Sequence, residues 1–333
     1  MVKIRKTSPC ILLFTSSILA FSGAFAADLP GIPEFINEMV AKHQFKREEL
    51  VQVFQEAEHR QDVIDAMNTP STLKPWLEYR AAFVNSKRID GGMKFWLKHA
   101  DALDRAEKLY GVPQEIIIAV IGVETLYGRQ AGNYRTLDAL TTLTFDYPRR
   151  VEFFRSELEQ YLLLAREQNF DMLSIRASYA GALGIPQFMP SSYRKNAVDF
   201  NGDGKIDLMT GAADAIGSVA NYLRQYGWKP GEPVAVRAVV EDVKRPDDVG
   251  AARSLVAWGE LGVSPQGKFG EGVYAYLLDF TLPDGKEYWF GFNNFAVITT
   301  YNNSSYYAMT VYQLAVEIRK AGRLYGLIRR APL

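Results

Sequence analysis

The chain has 333 residues, 48% of them hydrophobic and 23% charged, with 38 Lys+Arg against 38 Asp+Glu. That composition belongs to a globular protein long enough for two or three packed units, and it excludes a disordered tail, a collagen-like rod and a coiled coil. The balanced charge leaves no basic footprint for nucleic acid, whose phosphates need clustered Lys and Arg.

Lys3, Arg5 and Lys6 precede an apolar stretch from Ile11 to Phe21 and the small-x-small sequence Ala24-Phe25-Ala26. Residues 1–26 therefore read as a secretory signal peptide, its apolar core too short to span a bilayer. Removing it takes away three basic and no acidic residues, which leaves 35 against 38 and a net charge near minus three. The single cysteine, Cys10, lies inside this segment, so the mature chain needs no disulfide. The apolar core follows Cys10 instead of preceding it, so no lipid anchor is expected there. No later run is long and apolar enough for a transmembrane segment, and the expected product is a soluble protein outside the cytoplasm.

From Pro33 to about Tyr110, apolar residues recur every three to four positions, among them Phe35, Met39, Leu50, Phe54, Leu103 and Ala106, which predicts an α-helical front third. Asp90 with Gly91-Gly92 is expected to open the last of these helices and Gly111 to close it, with Pro113 starting the next. Helical spacing continues through Glu152–Gln168 and Asp214–Tyr226, the latter ending at Gly227 with Pro230 beyond. After Gly231 the texture becomes β-rich. Val234–Val240, Tyr274–Leu282 and Glu287–Phe292 read as strands of a small antiparallel sheet, the last two joined by a turn at Pro283-Asp284-Gly285-Lys286. Lys244–Gly272 reads as a long irregular connection. Helical spacing returns from about Tyr307 to Gly322, before a basic tail at Arg329-Arg330. The fold class is mainly α with a small antiparallel β domain.

Four segments carry candidate chemistry. In Pro113–Gly128, Glu124 shares a helix face with Ile117, Val120 and Ile121, so its carboxyl ends an apolar stripe. Burial would raise its pKa, as a general acid requires, whereas a helix-end Glu paired with a nearby base is the plainer alternative. In Ser178–Ser192, Ala180, Gly181, Ala182 and Gly184 permit close backbone approach, and Gln187 is an uncharged polar group amid apolar ones, at a binding site or a tight helix–loop joint. Asp199–Thr210 sets Asp199, Asn201, Asp203 and Asp207 at positions one, three, five and nine, with Gly204 at six and the Lys205 carbonyl at seven. That is the spacing of a calcium loop, although position twelve is Thr210 instead of a bidentate Glu, and Asp214 is the carboxylate able to replace it. An Asx-rich turn is the alternative. In Phe292–Ala308, an apolar strand core gives way to Tyr, Asn and Ser, which can stack on and hydrogen-bond to sugars, or form an Asn-rich turn.

Glu124-Thr-Leu-Tyr-Gly128, Tyr179-Ala-Gly-Ala-Leu-Gly followed by Gln-Phe-Met-Pro-Ser-Ser192, the Asp199 loop and Asn294-Phe-Ala-Val-Ile with its Tyr-Asn and Tyr-Ala-Met309 sequel, in this order, resemble the membrane-bound lytic transglycosylase B family. The resemblance runs from about Phe35 to the C-terminus. It implies a lysozyme-like core over 111–230 containing the EF-hand-like loop 199–214, flanked by a helical domain over 27–110, a β domain over 231–293, and an active-site segment with the C-terminal helix over 294–333. It implies a periplasmic enzyme that cuts the β-1,4 bond between N-acetylmuramic acid and N-acetylglucosamine of peptidoglycan without hydrolysis. Glu124 is then the catalytic acid and base. Tyr79, Arg149, Arg150, Ser178, Gln187, Tyr222, Tyr301, Asn302 and Tyr307 contact substrate, the two arginines meeting its lactyl carboxylate or peptide stem. Asp199, Asn201, Asp203, the Lys205 carbonyl and Asp214 hold a structural Ca2+ or Na+, and catalysis needs no cofactor. Peptidoglycan strands are the expected partner, with cell-wall synthases as candidate protein partners. The N-terminus lacks the family's usual lipidation sequence.

Ordinary glycoside hydrolysis uses two carboxylates, and these motifs offer only Glu124. The single acid points to attack by the C6 hydroxyl of the muramic acid, closing a 1,6-anhydro ring. The competing readings are a hydrolytic muramidase and a non-catalytic peptidoglycan-binding protein; retention of Glu124 argues against the latter.

Overall fold

The computed structural model describes residues 29–69, 74–241, 250–270 and 272–324; the stretch expected to be a signal peptide, the basic tail and part of the 244–272 stretch lie outside them. The chain runs through α1 (Ile32–His43), α2 (Arg47–Gln55), α3 (Gln61–Asn68), α4 (Trp76–Phe83), α5 (Ser86–Lys98), α6 (Ala100–Tyr110) and α7 (Gln114–Thr125). Next come β1 (Tyr134–Arg135), α8 (Thr136–Asp146), a 3-10 turn at Pro148–Arg150, α9 (Val151–Gln168), β2 (Arg176–Ala177), α10 (Pro190–Asn196) and α11 (Ala212–Gln225). The remainder comprises β3 (Ala235–Val240), β4 (Ala252–Ser254), α12 (Leu255–Glu260), β5 (Val263–Pro265), β6 (Tyr274–Leu282), β7 (Gly285–Gly291), α13 (Asn293–Tyr301) and α14 (Ser305–Leu324). The expected class holds: mainly helical with a small antiparallel sheet, whose strand order is β4-β6-β7-β3-β5. No described helix is long and apolar enough to cross a membrane.

α7 is the axis of the molecule. From Glu115 to Val123 every residue is buried, so it lacks the polar face of a surface helix. Its neighbours α5, α6, α11 and α14 close around it in one apolar cluster that also takes in Trp76, Trp228 and α13. A second cluster joins α1–α3 to α8 and α9 through Phe35, Phe54, Leu140, Phe154 and Leu158. The third lies on one face of the five-stranded sheet, around Trp258 and Phe290. The front third is therefore not one packing unit as expected: α1–α3 share a core with α8 and α9, whereas α4–α6 pack in the central cluster.

Three local expectations are corrected. Gly91-Gly92 does not open a helix; it lies inside α5, whose N-cap is Asn85, its side chain accepting from Arg88 N at 3.1 Å. The glycines are there for space, since a Cβ on Gly91 would meet the Tyr127 ring at 2.7 Å and one on Gly92 would meet Ile318 at 2.8 Å. Second, the 244–272 stretch contains β4, α12 and β5; strands of three residues are too short for alternation to register. Third, Asn293–Tyr301 is a helix, not the end of a strand. Its β-rich run Phe295-Ala-Val-Ile-Thr-Thr-Tyr301 is overridden by packing of Phe295, Val297 and Ile298 into the central cluster.

Candidate active site

Glu124 occupies the last turn of α7, and the chain leaves that helix in an unusual way. Leu126 and Tyr127 both take left-handed backbone conformations, with φ of 50° and 64°, which costs a non-glycine residue roughly 1–2 kcal/mol each. Thr125, fully buried, holds this turn: its Oγ1 donates to the Ile185 carbonyl at 2.8 Å and accepts from Gly128 N at 2.9 Å. Helix end and Ile185 loop are thereby tied together, with Glu124 between them and the groove.

The Ser178–Phe188 segment forms the opposite lip. Bridges Ala177–Leu183 and Leu183–Phe188 fold it into a compact loop, closed by the Ser178 N–H donating to the Ala182 carbonyl at 2.9 Å and the Ala182 N–H to Ser178 Oγ at 3.1 Å. Gly184, at φ 68°, is required: a Cβ there would lie 2.2 Å from the Leu208 carbonyl oxygen. Gln187 Nε2 donates to the carbonyls of Gly184 at 2.9 Å and Ala131 at 3.1 Å, which fixes the amide and leaves Oε1 as its outward end.

Between these lips lies a groove of about 850 Å³ whose lining includes Tyr79, Glu124, Arg150, Ser178, Gln187, Tyr222, Tyr301 and Asn302. Residues from six separate stretches of chain thus meet in one place. Tyr307 stands behind them, buried, its hydroxyl donating to Glu124 Oε1 at 2.6 Å. Its ring lies parallel to that of Tyr301, 6.2 Å away, and Tyr301 in turn donates to the Pro186 carbonyl. Tyr222 donates to the Thr300 carbonyl at 2.7 Å and stacks on Tyr226 at 4.3 Å. Arg149 is the exception: it is exposed on the 3-10 turn and is not among the groove-lining residues.

Burial pushes the Glu124 carboxyl up to about 7, against the opposing pull of the Tyr307 hydrogen bond. Tyr79 and Tyr222 are pushed up to about 12, chiefly by burial, and Tyr301 and Tyr307 well above their ordinary value for the same reason. All four remain neutral donors near neutral pH. Thus a carboxyl that can hold its proton near neutral pH faces a groove walled by uncharged aromatic hydroxyls and amides, an arrangement that can protonate a leaving oxygen and stack on pyranose rings.

The groove also contains residues the motifs did not single out: Phe153, Phe154, Tyr226 and a second carboxylate, Glu157. Glu157 is buried, and both its oxygens are engaged by Ser191, Oε2 by the backbone N–H at 2.9 Å and Oε1 by the hydroxyl at 2.6 Å. Burial raises its pKa while these bonds lower it. Helical spacing from Arg150 could have found this wall, because Arg150, Phe153, Phe154 and Glu157 recur at three to four residues; the Arg150 guanidinium lies 4.0 Å from the Phe153 ring centre.

The Asp199 loop lies outside the groove lining. Asp199 accepts from the N–H groups of Gly202, Asp203 and Gly204, and Asp203 from Lys205 N and Asn201 Nδ2. Asp214, expected as a ligand, is buried; its Oδ1 accepts from the N–H groups of Phe200 and Asn201, and its Oδ2 from that of Asp207 at 2.8 Å. Among the described residues no group of three or more His, Cys, Asp or Glu converges as a metal cluster. The donor set instead mixes Asp199 and Asp203 with the Asn201 amide and Lys205 carbonyl, all hard oxygens of the kind Ca2+ takes.

Residues 28–316 match the family described as Transglycosylase SLT domain. The chain belongs to the membrane-bound lytic transglycosylase B family. It is 43% identical over 315 residues to the membrane-bound lytic murein transglycosylase B of Escherichia coli strain K12, covering 92% of this chain and 87% of that one. Its fold matches the Escherichia coli lytic transglycosylase Slt35, solved in complex with calcium, at a TM-score of 0.83 and 44% identity over 90% of this chain and 95% of that one. SltB3 of Pseudomonas aeruginosa, solved with NAG-anhNAM-pentapeptide, matches at 0.75 and 28% identity, covering 86% of this chain and 78% of that one. As a family member the chain is an enzyme of the lytic transglycosylase type with a lysozyme-like fold.

Proposed function

We propose that this chain is exported to the periplasm and there cleaves the β-1,4 bond between N-acetylmuramic acid and N-acetylglucosamine of peptidoglycan, leaving 1,6-anhydromuramic ends. The observation that carries the reading is Glu124: one carboxyl with a pKa near 7, hydrogen-bonded to Tyr307 at the floor of an aromatic groove. Its proton passes to the glycosidic oxygen as the C1–O bond breaks, so the N-acetylglucosamine leaves as an alcohol. The resulting carboxylate takes the proton of the muramic C6 hydroxyl while that oxygen bonds to C1. Glu124 ends protonated, and no water is consumed. Glu157, the other carboxylate of the groove, accepts from Ser191 through both oxygens, which anchors it in the groove wall, and this reading does not use it.

The relative solved with NAG-anhNAM-pentapeptide supports the anhydro product, and the murein-directed name of the Escherichia coli relative supports the substrate. Tyr301 and Asn302 orient the sugar beside Glu124, with Gln187 Oε1 and Ser178 opposite. Arg150 is the cation available to a lactyl or stem carboxylate; Arg149 is better placed for a longer peptide stem than for the sugar. Asp199, Asn201, Asp203 and the Lys205 carbonyl hold a Ca2+ that braces the loop and takes no part in the reaction. The calcium complex of the Escherichia coli relative supports that assignment.

The test is mass spectrometry of muropeptides released from purified peptidoglycan. Products one water lighter than hydrolytic muropeptides are expected from the wild type, and a fall of about two to four orders of magnitude in rate from Glu124→Gln. Reducing-end products would make the enzyme a muramidase.

A further inference from the structure

A second cavity, of about 430 Å³, lies away from the groove and shares no lining residue with it. It is bounded by Lys94, Phe95, Lys98 and His99 of α5 and the residue after it, by Tyr127, Gly128 and Arg129 after α7, by Ile185, and by Met209, Thr210 and Ala212 where the Asp199 loop enters α11. Its volume falls within the range of about 300–1,000 Å³ that small-molecule sites occupy. The floor is apolar and aromatic: Phe95 packs on Tyr127 at 5.6 Å and on His99 at 4.6 Å.

The rim is cationic, and its charge is unanswered. Lys94, Lys98 and Arg129 have no carboxylate or side-chain hydrogen-bond partner among the described residues, and no Asp or Glu lines the cavity. Asp90, one turn before Lys94, forms no ion pair with it. On the same two helices Arg88 donates to the Gly122 carbonyl at 3.1 Å and Lys108 pairs with Asp104 at 2.6 Å. Three uncompensated cations around one apolar floor stand out in a chain whose mature part is slightly acidic.

We infer that this cavity is a binding site for a short acidic peptide, its separated carboxylates taken by Lys94, Lys98 and Arg129 and its aliphatic body by Phe95, Tyr127 and Ile185. The arrangement favours such a ligand over a compact inorganic anion. Lys94 and Lys98 stand on successive turns of one helix and Arg129 on a different element, so the charges are spread instead of focused. A phosphate ion held by one of them would leave the others unpaired and the floor uncovered. If the groove takes peptidoglycan, as proposed above, the peptide stems of that polymer supply this chemistry; that identification of the source rests on the proposed function, whereas the site itself does not.

The site also touches the catalytic helix. The Tyr127 hydroxyl donates to the Arg88 carbonyl at 2.7 Å, and its ring fills a notch so close that a Cβ on Gly122 of α7 would meet that ring at 2.7 Å. A ligand on Tyr127 therefore bears on the turn that ends α7, three residues beyond Glu124.

The experiment is titration calorimetry of the purified chain at low salt with the tripeptide Ala-Glu-Glu, its fully amidated form and inorganic phosphate. Saturable binding of the acidic tripeptide alone is expected. Lys94→Ala/Lys98→Ala and Arg129→Ala should each weaken it about tenfold or more, with the thermal midpoint unchanged. Glu124→Gln should bind the tripeptide as the wild type does, so failure of the catalytic reading and of this one are separable. Absence of tripeptide binding, equal binding of the amidated form, displacement by phosphate at equal concentration, or indifference to the three substitutions would each overturn the assignment.

Discussion

Glu124 keeps its proton near neutrality because burial withholds the water that would solvate the carboxylate, while the Tyr307 hydroxyl at 2.6 Å favours the ionised form. Since the first step needs the acid, lysis is expected to fall as pH rises through about 7. Tyr307→Phe removes the bond that lowers the pKa, so the alkaline limb of a pH–rate profile should move to higher pH; a shift the other way would refute the donor role of Tyr307. The same residue sets a stability effect of definite sign. A carboxyl whose folded pKa is raised stabilises the fold fully below its unfolded value, near 4.5, and that contribution is lost as pH climbs through about 7. Glu124→Gln has no such loss. It should match the wild type at pH 4 and exceed it at pH 8 by on the order of 2 kcal/mol in denaturant titrations.

Asp214 and Asp199 serve one loop in different ways, and the element responds to each differently. Asp214, on α11, holds the loop through three backbone N–H groups from a buried position. Asp214→Ala leaves those donors without a partner and should cost about 3 kcal/mol with or without cation. Asp199 is only half-buried and is proposed to face the ion. Asp199→Ala should cost little in chelator but cancel the rise in thermal midpoint that millimolar Ca2+ gives the wild type, by scanning calorimetry. Equal Ca2+ responses in wild type and Asp199→Ala would remove the cation from the loop.

The groove runs between two cores. Glu124, Tyr222 and Tyr301 belong to elements packed in the central cluster, whereas Phe153, Phe154 and Glu157 ride on α9, whose inner face packs with α1–α3 and α8. The width of the groove is therefore a matter of how the second cluster seats α9. Leu158 is fully buried in that cluster and does not line the groove. Leu158→Ala should destabilise the protein by about 2–5 kcal/mol and raise KM for a soluble glycan more than it lowers kcat, because Glu124 sits on the other core. A loss confined to kcat would contradict this division. The apolar joint between α4 and the sheet is pinned by Trp76, whose Nε1 donates to Glu287 at 2.9 Å, so the sheet too is anchored to the central cluster.

Local features were legible wherever one element carried its own signal. The uninterrupted apolar run of α7 announced a buried helix with Glu124 at its end, and small residues around Gln187 announced a close backbone approach. Pro283-Asp284 announced a hairpin. Gly91-Gly92 misled because glycine's usual meaning is a boundary, while here its lack of a side chain admits Tyr127 and Ile318 from distant elements. The Phe295–Tyr301 run misled because packing outweighed its β propensity. Glu157 escaped notice because a groove-facing carboxylate and a solvated one look alike until Ser191 is folded against them. The sequence by itself determined which helices are buried, where the turns fall and which residue types can do glycosidic chemistry, since these follow from periodicity and short-range sterics. Only the tertiary structure decided which residues share a groove, what partner the Glu124 carboxyl has and how high its pKa rises, because burial and partnership depend on contacts between residues as far apart as Glu124 and Tyr307.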